Sequence, residues 1–148
     1  MSDETPTTHQ LVVFSLGEEE YALPIEAVHE IIRYTEPRSV ASSVGWIRGV
    51  ISLRGKIIPV YDLAARLGQG HRAKDEDRKI VIVETALDMA GVIVDDVREV
   101  LTVDSEQLEP VPSAGGAWIE SIAKIDDRLV VLLSAAGLFG ETTEAAAL

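Results

Sequence analysis

The sequence predicts a mainly β protein built from two copies of one small, hairpin-based unit, with only short helices. Three observations predict it. Short apolar runs recur along the chain and are bounded by turn residues, as strands are. Neighbouring runs are joined by tight, charged or glycine-containing turns, as in hairpins. The second half of the chain also repeats the first.

The elements read as follows. Residues 1–9 are polar and are expected to be a flexible tail. Leu11-Val12-Val13-Phe14 and Tyr21-Ala22-Leu23 flank the turn Gly17-Glu18-Glu19-Glu20, which makes a first hairpin. From Pro24 the period changes. Ile25, Val28, Ile31 and Ile32 recur at helical spacing, with Pro24 in a first-turn position, so a helix is expected up to a loop at Pro37. Trp46 to Tyr61 holds two apolar runs around Arg54-Gly55-Lys56, a second hairpin, with Pro59 near an edge or a bulge. Asp62 is placed to cap a short helix running to about Leu67, with Gly68 ending it. Residues 69–78 are a charged loop. Ile80 to Val83 and Gly91 to Val94 are apolar strands, and Asp95 to Leu101 is a short helix or turn. Residues 104–117, with Pro110, Pro112, Gly115 and Gly116, are expected to be loop. Ile119 to Ile125 and Leu129 to Leu133 form a last hairpin around Asp126-Asp127, and the end after Gly140 is a frayed tail.

The repeat has two registers. Trp46 to Gly68 lies over Trp118 to Gly140 at an ungapped offset of 72, which sets Val50 on Ile122, Lys56 on Arg128 and Ile57 on Leu129. Ala22 to Ile32 lies over Gly91 to Leu101 at an offset of 69, which sets Val28 on Val97, Glu30 on Glu99 and Ile31 on Val100. The simplest account is a duplicated unit of about 70 residues with about five short strands each; a unit that small has a marginal core alone, so the two should pack together. Hairpin-joined antiparallel strands favour small barrels, which remove most sheet edges.

Composition narrows the function classes. With 25 acidic against 13 basic residues the net charge is −12, which argues against nucleic acid and anionic lipid as partners. There is no cysteine, so disulfides, thiolate metal sites and cysteine nucleophiles are excluded. The start, Met1 to Gln10, does not read as a signal peptide, and the longest apolar run, Leu129 to Phe139, is too short to span a bilayer. The expectation is a soluble, cytoplasmic protein with no direct membrane insertion.

No catalytic constellation is legible. His9 lies in the tail, His71 in a charged loop, and His29 beside Glu30 reads as a solvated surface residue; none has a second ligand at metal spacing. Asp95-Asp96 reads as a carboxylate pair in a helix first turn rather than a magnesium site, and Asp126-Asp127 as a hairpin turn. Gly55-Lys56 leads into a strand, not a helix, so Gly49 to Lys56 is not a phosphate loop. The expectation is no enzyme, no cofactor and no metal, which points to a binding role without naming the partner.

The block Ile47-Arg48-Gly49-Val50-Ile51-Ser52-Leu53-Arg54-Gly55-Lys56-Ile57-Ile58-Pro59-Val60-Tyr61-Asp62-Leu63 resembles the signature of the CheW family of chemotaxis coupling proteins. Phe14 to Tyr21 with Val28 to Ile31, Gly91 to Val100, and Leu129 to Phe139 resemble the family's opening, central and closing segments, so the likeness covers about residues 10–140. It implies two SH3-like five-stranded β-barrel lobes, roughly 11–78 and 79–140. It leaves open an exchange in which the first strand of one half, residues 11–16 or 79–84, completes the other's barrel. It implies a non-enzymatic adaptor in bacterial two-component signal transduction, coupling the cytoplasmic tip of chemoreceptors (methyl-accepting chemotaxis proteins) to the regulatory domain of the CheA histidine kinase, in hetero-oligomeric arrays at the membrane. Carried over by position, the receptor-binding residues are Val28, Glu30, Ile31 and Arg54; no kinase-binding residue is assigned. Val28 and Ile31 would be apolar contacts in a groove between the lobes, the other reading being helix residues that face the core. Arg54 has the other reading of an ordinary hairpin-tip arginine.

Two departures stand out. Ser52 replaces the asparagine the family often has before Leu-Arg-Gly, and Ser134 replaces an acidic or amide residue, though serine still caps a helix. They leave open a paralogue serving surface motility or development, and a kinase-binding decoy is a further alternative. A module with its own small-molecule or enzymatic task would need a pocket with convergent polar groups.

Overall fold

The computed structural model describes residues 7–39, 46–67, 75–85, 88–111 and 119–139. Outside them lie Gly68, His71, Trp118 and Gly140, residues 112–118 of the expected loop, and most of both expected tails. The described residues form β1 (Thr8–Leu16), β2 (Glu19–Pro24), β3 (Val28–Arg33), β4 (Ile47–Leu53), β5 (Lys56–Asp62), α1 (Leu63–Leu67), β6 (Lys79–Glu84), β7 (Met89–Val94), β8 (Asp96–Asp104), β9 (Leu108–Pro110), β10 (Ile119–Ile125) and β11 (Arg128–Leu133). A helical turn over residues 135–139 follows.

The fold is mainly β, in two sheets. One has six strands in the order β8-β1-β2-β11-β10-β9, the other five in the order β3-β6-β7-β5-β4. The sheets do not divide the chain at residue 78. The five-stranded lobe is the continuous stretch from β3 to β7, and hairpin β1–β2 sits in the other lobe with β8 to β11.

Registers reproduce the repeat residue by residue. Val28 pairs with Val83 and Ile31 with Val81 across β3–β6; shifting by 69 gives Val97 with Phe14 and Val100 with Val12, which is how β8 and β1 pair. The parallel pair Val60–Gly91 maps onto Leu132–Ala22 by the 72 and 69 offsets together. Even the irregularities correspond: β3–β6 is bulged between Val28 and Glu30, and β8–β1 between Val97 and Glu99.

Several local expectations are corrected. The segment expected as a helix after Pro24 is a single 3₁₀ turn, Ile25–Ala27, and then strand β3. Val28, Ile31 and Ile32 are β-branched and suit a pleated surface, and β6 supplies the partner for their backbone. His29 therefore lies on a strand. Asp95 to Leu101, also expected as a short helix or turn, falls almost wholly in strand β8 (Asp96–Asp104) for the same reason, with Val97, Val100, Thr102 and Val103 pairing with β1. Within the expected loop from residue 104, Asp104 caps a 3₁₀ turn, accepting from the Glu106 and Gln107 amides, while the Gln107 side chain accepts from the Asp104 amide. Strand β9 follows and pairs with β10. Thr8 and His9, expected in the tail, begin β1 against β8. β5 is an interior strand and not an edge, but Pro59 does lie beside a bulge, the β4–β5 register shift between Ile47 and Gly49, and the ladder to β7 starts one residue later, at Val60.

Other readings hold. Asp62 accepts from the amides of Ala64 and Ala65 at the start of α1, and Ser134 Oγ accepts from the Gly137 amide. Each lobe has its own small core: Leu11, Val13, Ala22, Val103, Ala123, Val130 and Leu132 in one, Ile51, Ile58, Val60, Ile80, Ile82 and Ile93 in the other. The largest core is shared, with Phe14, Leu16, Tyr21 and Leu23 meeting Val81, Val83, Val92 and Val94. Phe139, after β11, lies with its ring centroid 5.8 Å from Trp46 and 5.2 Å from Tyr61, so the chain's closing turn packs on the opposite lobe.

Candidate functional site

The site starts from a turn. Arg54 and Gly55 both have positive φ, 51° and 83°, as the two-residue hairpin between β4 and β5 demands. Glycine takes that conformation freely, whereas for arginine it is uncommon and mildly strained. The guanidinium offsets the strain: Nη1 and Nη2 donate to the two carboxylate oxygens of Glu30 at 2.6 and 2.8 Å. This bidentate geometry is the strongest form of such a pair. Its hydrogen bonds, more than any other cause, hold the Glu30 carboxyl below the usual carboxylate range, with the Arg54 and His29 charges adding to them. The same pair raises Arg54. The bridge is therefore intact at neutral pH and is released only as acid takes the pH below the ordinary carboxylate range.

That contact also fixes shape. β3 and β5 are three strand spacings apart in the sheet order, roughly 14 Å if the sheet were flat. Side chains can span that gap in a bidentate pair only if the sheet curls until its edges approach, so the Glu30–Arg54 bridge closes one end of a barrel-like lobe.

Around the bridge, Ile31 is 41% exposed on the outer face of β3, and it does not face the core. Val28 is half-buried and packs against the shared core from strand β3, not from a helix. The structure thus brings Glu30 and Arg54 into contact and sets Val28 and Ile31 on the same edge strand as Glu30.

Among the described residues, the other conspicuous surfaces are open grooves at two lobe ends. One, of about 470 Å³, is lined by Leu129, Ile122 and the Lys124–Glu109 ion pair. The other, of about 390 Å³, has Ile57, Val50 and Arg38. Neither gathers acid, base and nucleophile, and no group of three or more His, Asp or Glu among the described residues is placed to hold a metal ion. No helix there is long and apolar enough to cross a membrane.

Residues 10–143 match the CheW-like domain. The chain belongs to the CheW-like family. It is 32% identical over 142 residues to a probable chemotaxis protein CheW of Rhizobium etli, spanning 93% of this chain and 92% of that one. It is 33% identical over 140 residues to chemotaxis protein CheW of Bacillus subtilis, spanning 91% and 89%. Its structure superimposes on the scaffolding protein TtCheW of Thermoanaerobacter tengcongensis with a TM-score of 0.82 at 40% identity, covering 94% of this chain and 92% of that one. This is a family of scaffolds, not of enzymes.

Within this CheW-like fold the repeat relates further exposed residues to those of the site. Ile31 and Val100 (53% exposed) correspond at offset 69, and Ile57 (66%) and Leu129 (61%) at offset 72. Among the described residues, all four exposed large apolar side chains thus fall into two symmetry-related pairs. Glu30 has its counterpart in Glu99, which pairs with Arg128 at 2.9 Å; Arg128 also holds Glu20 through Nε and Nη2 at 3.0 and 3.1 Å. The two offsets point to Glu99, Val100 and Leu129, but the expectation of a helix or turn over β8 hides that Glu99 and Val100 share an edge strand.

Proposed function

We propose that this chain is a non-enzymatic adaptor that couples the cytoplasmic tip of a chemoreceptor to the regulatory domain of a CheA-type histidine kinase, working in the cytoplasm at membrane receptor arrays. Residues 10–140 are the coupling unit. Val28, Glu30, Ile31 and Arg54 form the receptor surface, and the observation that carries it is the bidentate Glu30–Arg54 bridge beside exposed Ile31. An exposed apolar residue next to an ordered charge pair suits a helical partner with an apolar ridge and polar flanks. The kinase domain is expected at the lobe ends, where Ile57 and Leu129 stand exposed. Signal passes because receptor and kinase each favour one arrangement of the assembly and so shift each other's equilibria. Weak contacts gain strength by repetition in an array.

The test is a pull-down of purified protein against a receptor cytoplasmic fragment and the cognate kinase, wild type beside Arg54→Glu. The substitution sets two carboxylates face to face where the bridge was, so receptor affinity is expected to fall about tenfold or more while kinase binding stays. Kinase binding by the wild type without receptor binding would make the chain a decoy, or a paralogue whose receptor lies elsewhere. Binding to neither would reopen a separate small-molecule or enzymatic task.

A further inference from the structure

The surface around Glu30 carries an imidazole set between two carboxylates. His29 occupies the bulge of β3, where it has no counterpart across the β3–β6 ladder, and its ring extends over the end of β6. Nε2 lies 3.7 Å from Glu30 Oε1 and Nδ1 lies 3.5 Å from Glu84 Oε2. Both ring nitrogens thus face carboxylate oxygens. A neutral imidazole carries one N–H and one lone pair, so one of its nitrogens must set a lone pair against an anion; only the doubly protonated ring suits both neighbours. The charged groups facing it are Glu30 on its own strand and Glu84 on β6, and Arg54 from the β4–β5 turn reaches it through the same Glu30 Oε1, 2.6 Å from Arg54 Nη1. Glu84, His29, Glu30 and Arg54 form a chain of alternating groups across three elements.

We infer that His29 is a proton-sensitive element of this surface, which takes the four-residue chain from one net negative charge to none as the imidazole is protonated, and which loosens Arg54 by sharing Glu30 with it. Histidine is the side chain suited to make this change between pH 5 and 8, whereas the bridge itself lowers the Glu30 carboxyl and raises Arg54, away from that range. A loosened, exposed guanidinium is freer to meet an acidic side chain of a partner. The consequence for a receptor rests on the coupling proposed above; the proton effect on Arg54 does not.

The experiment has two arms on the full chain, wild type and His29→Gln, at pH 8 and pH 6. The first follows the Arg54 Nε–H resonance by NMR. The second measures affinity for a receptor cytoplasmic fragment. Wild type is expected to shift the Arg54 signal and to bind about two- to fivefold tighter at pH 6, the range that one exposed ion pair supplies. His29→Gln is expected to lose the shift and most of the affinity difference. Equal pH responses in the two proteins, or none in wild type, overturn the inference. If the fragment binds neither protein at either pH, the receptor reading fails, and the Arg54 resonance alone decides the proton effect.

Discussion

Replacing Phe14 with alanine is expected to destabilise the protein by about 3–5 kcal/mol, the usual cost of emptying a fully buried aromatic site. Phe14 has no solvent exposure and belongs to the core shared by both lobes. Its ring centroid lies 6.3 Å from that of Tyr21, its partner across the first hairpin, and on the other side it pairs with Val97 at the bulge of β8. A cavity there cannot be closed by one lobe relaxing, because its walls come from both. Total stabilities of small domains are only about 5–15 kcal/mol, so the variant should be close to unfolding. Urea denaturation of wild type and Phe14→Ala measures it. A loss near 1 kcal/mol, with a second transition separating the lobes, would show that they fold independently and that the shared core does not unite them.

Much of this fold is legible from residues because the duplication is written into the sequence twice, at two offsets. Hairpins declared themselves through Gly17, Arg54-Gly55 and Asp126-Asp127, and those turns are where the structure has them. The two segments expected as helix but found as strand share one cause. Val28 to Arg33 and Asp96 to Asp104 are edge strands, each paired on one side only, and an edge strand with a bulge breaks strict alternation. In β3 the sequence Val-His-Glu-Ile-Ile-Arg puts apolar residues at positions that fit a helix face as well as a strand, and the choice is made by β6, about fifty residues away in the chain. Local pattern cannot see such a partner. The short turn at Asp104 is different: Asp-Ser-Glu-Gln is a capping-box sequence, but it opens a stretch with Pro110, Pro112, Gly115 and Gly116, whose composition reads as loop.

The same limit divides the site. Resemblance picks out Glu30 and Arg54 one at a time, as receptor-binding residues. That they bind each other depends on the curl of a five-stranded sheet, which no local signal records. His29 read as a solvated residue, and at 38% side-chain exposure it is partly that; its two carboxylate neighbours come from the bulge and from the end of another strand.

The other large effect is expected at a glycine. Gly49 has φ of +153°, and a Cβ built on it would stand 2.1 Å from the carbonyl oxygen of Arg38 and 2.6 Å from its carbonyl carbon. The obstacle is backbone, not the end of a flexible side chain, so something must move. What holds Arg38 there is a reciprocal pair of bonds with Val50: the Arg38 amide donates to the Val50 carbonyl at 2.8 Å, and the Val50 amide to the Arg38 carbonyl at 2.9 Å. Alanine at 49 therefore adds backbone strain, a steric clash and the loss of two hydrogen bonds, together on the order of 3–5 kcal/mol. Gly55 is the internal comparison. Its φ is +83°, but a Cβ there meets nothing within 4 Å, so Gly55→Ala carries only the left-handed penalty of roughly 1 kcal/mol. Thermal unfolding of the two variants should rank them clearly, with Gly49→Ala far the lower. Amide exchange should also show Arg38 and Val50 losing protection in that variant first. Since Arg38 and Val50 line the groove beside Ile57, Gly49→Ala at permissive temperature should weaken whatever docks at that lobe end and leave the Glu30–Arg54 surface working. Equal melting of the two variants would mean that the residue 38 segment yields without cost, and that the groove is not held by the backbone contact at Gly49.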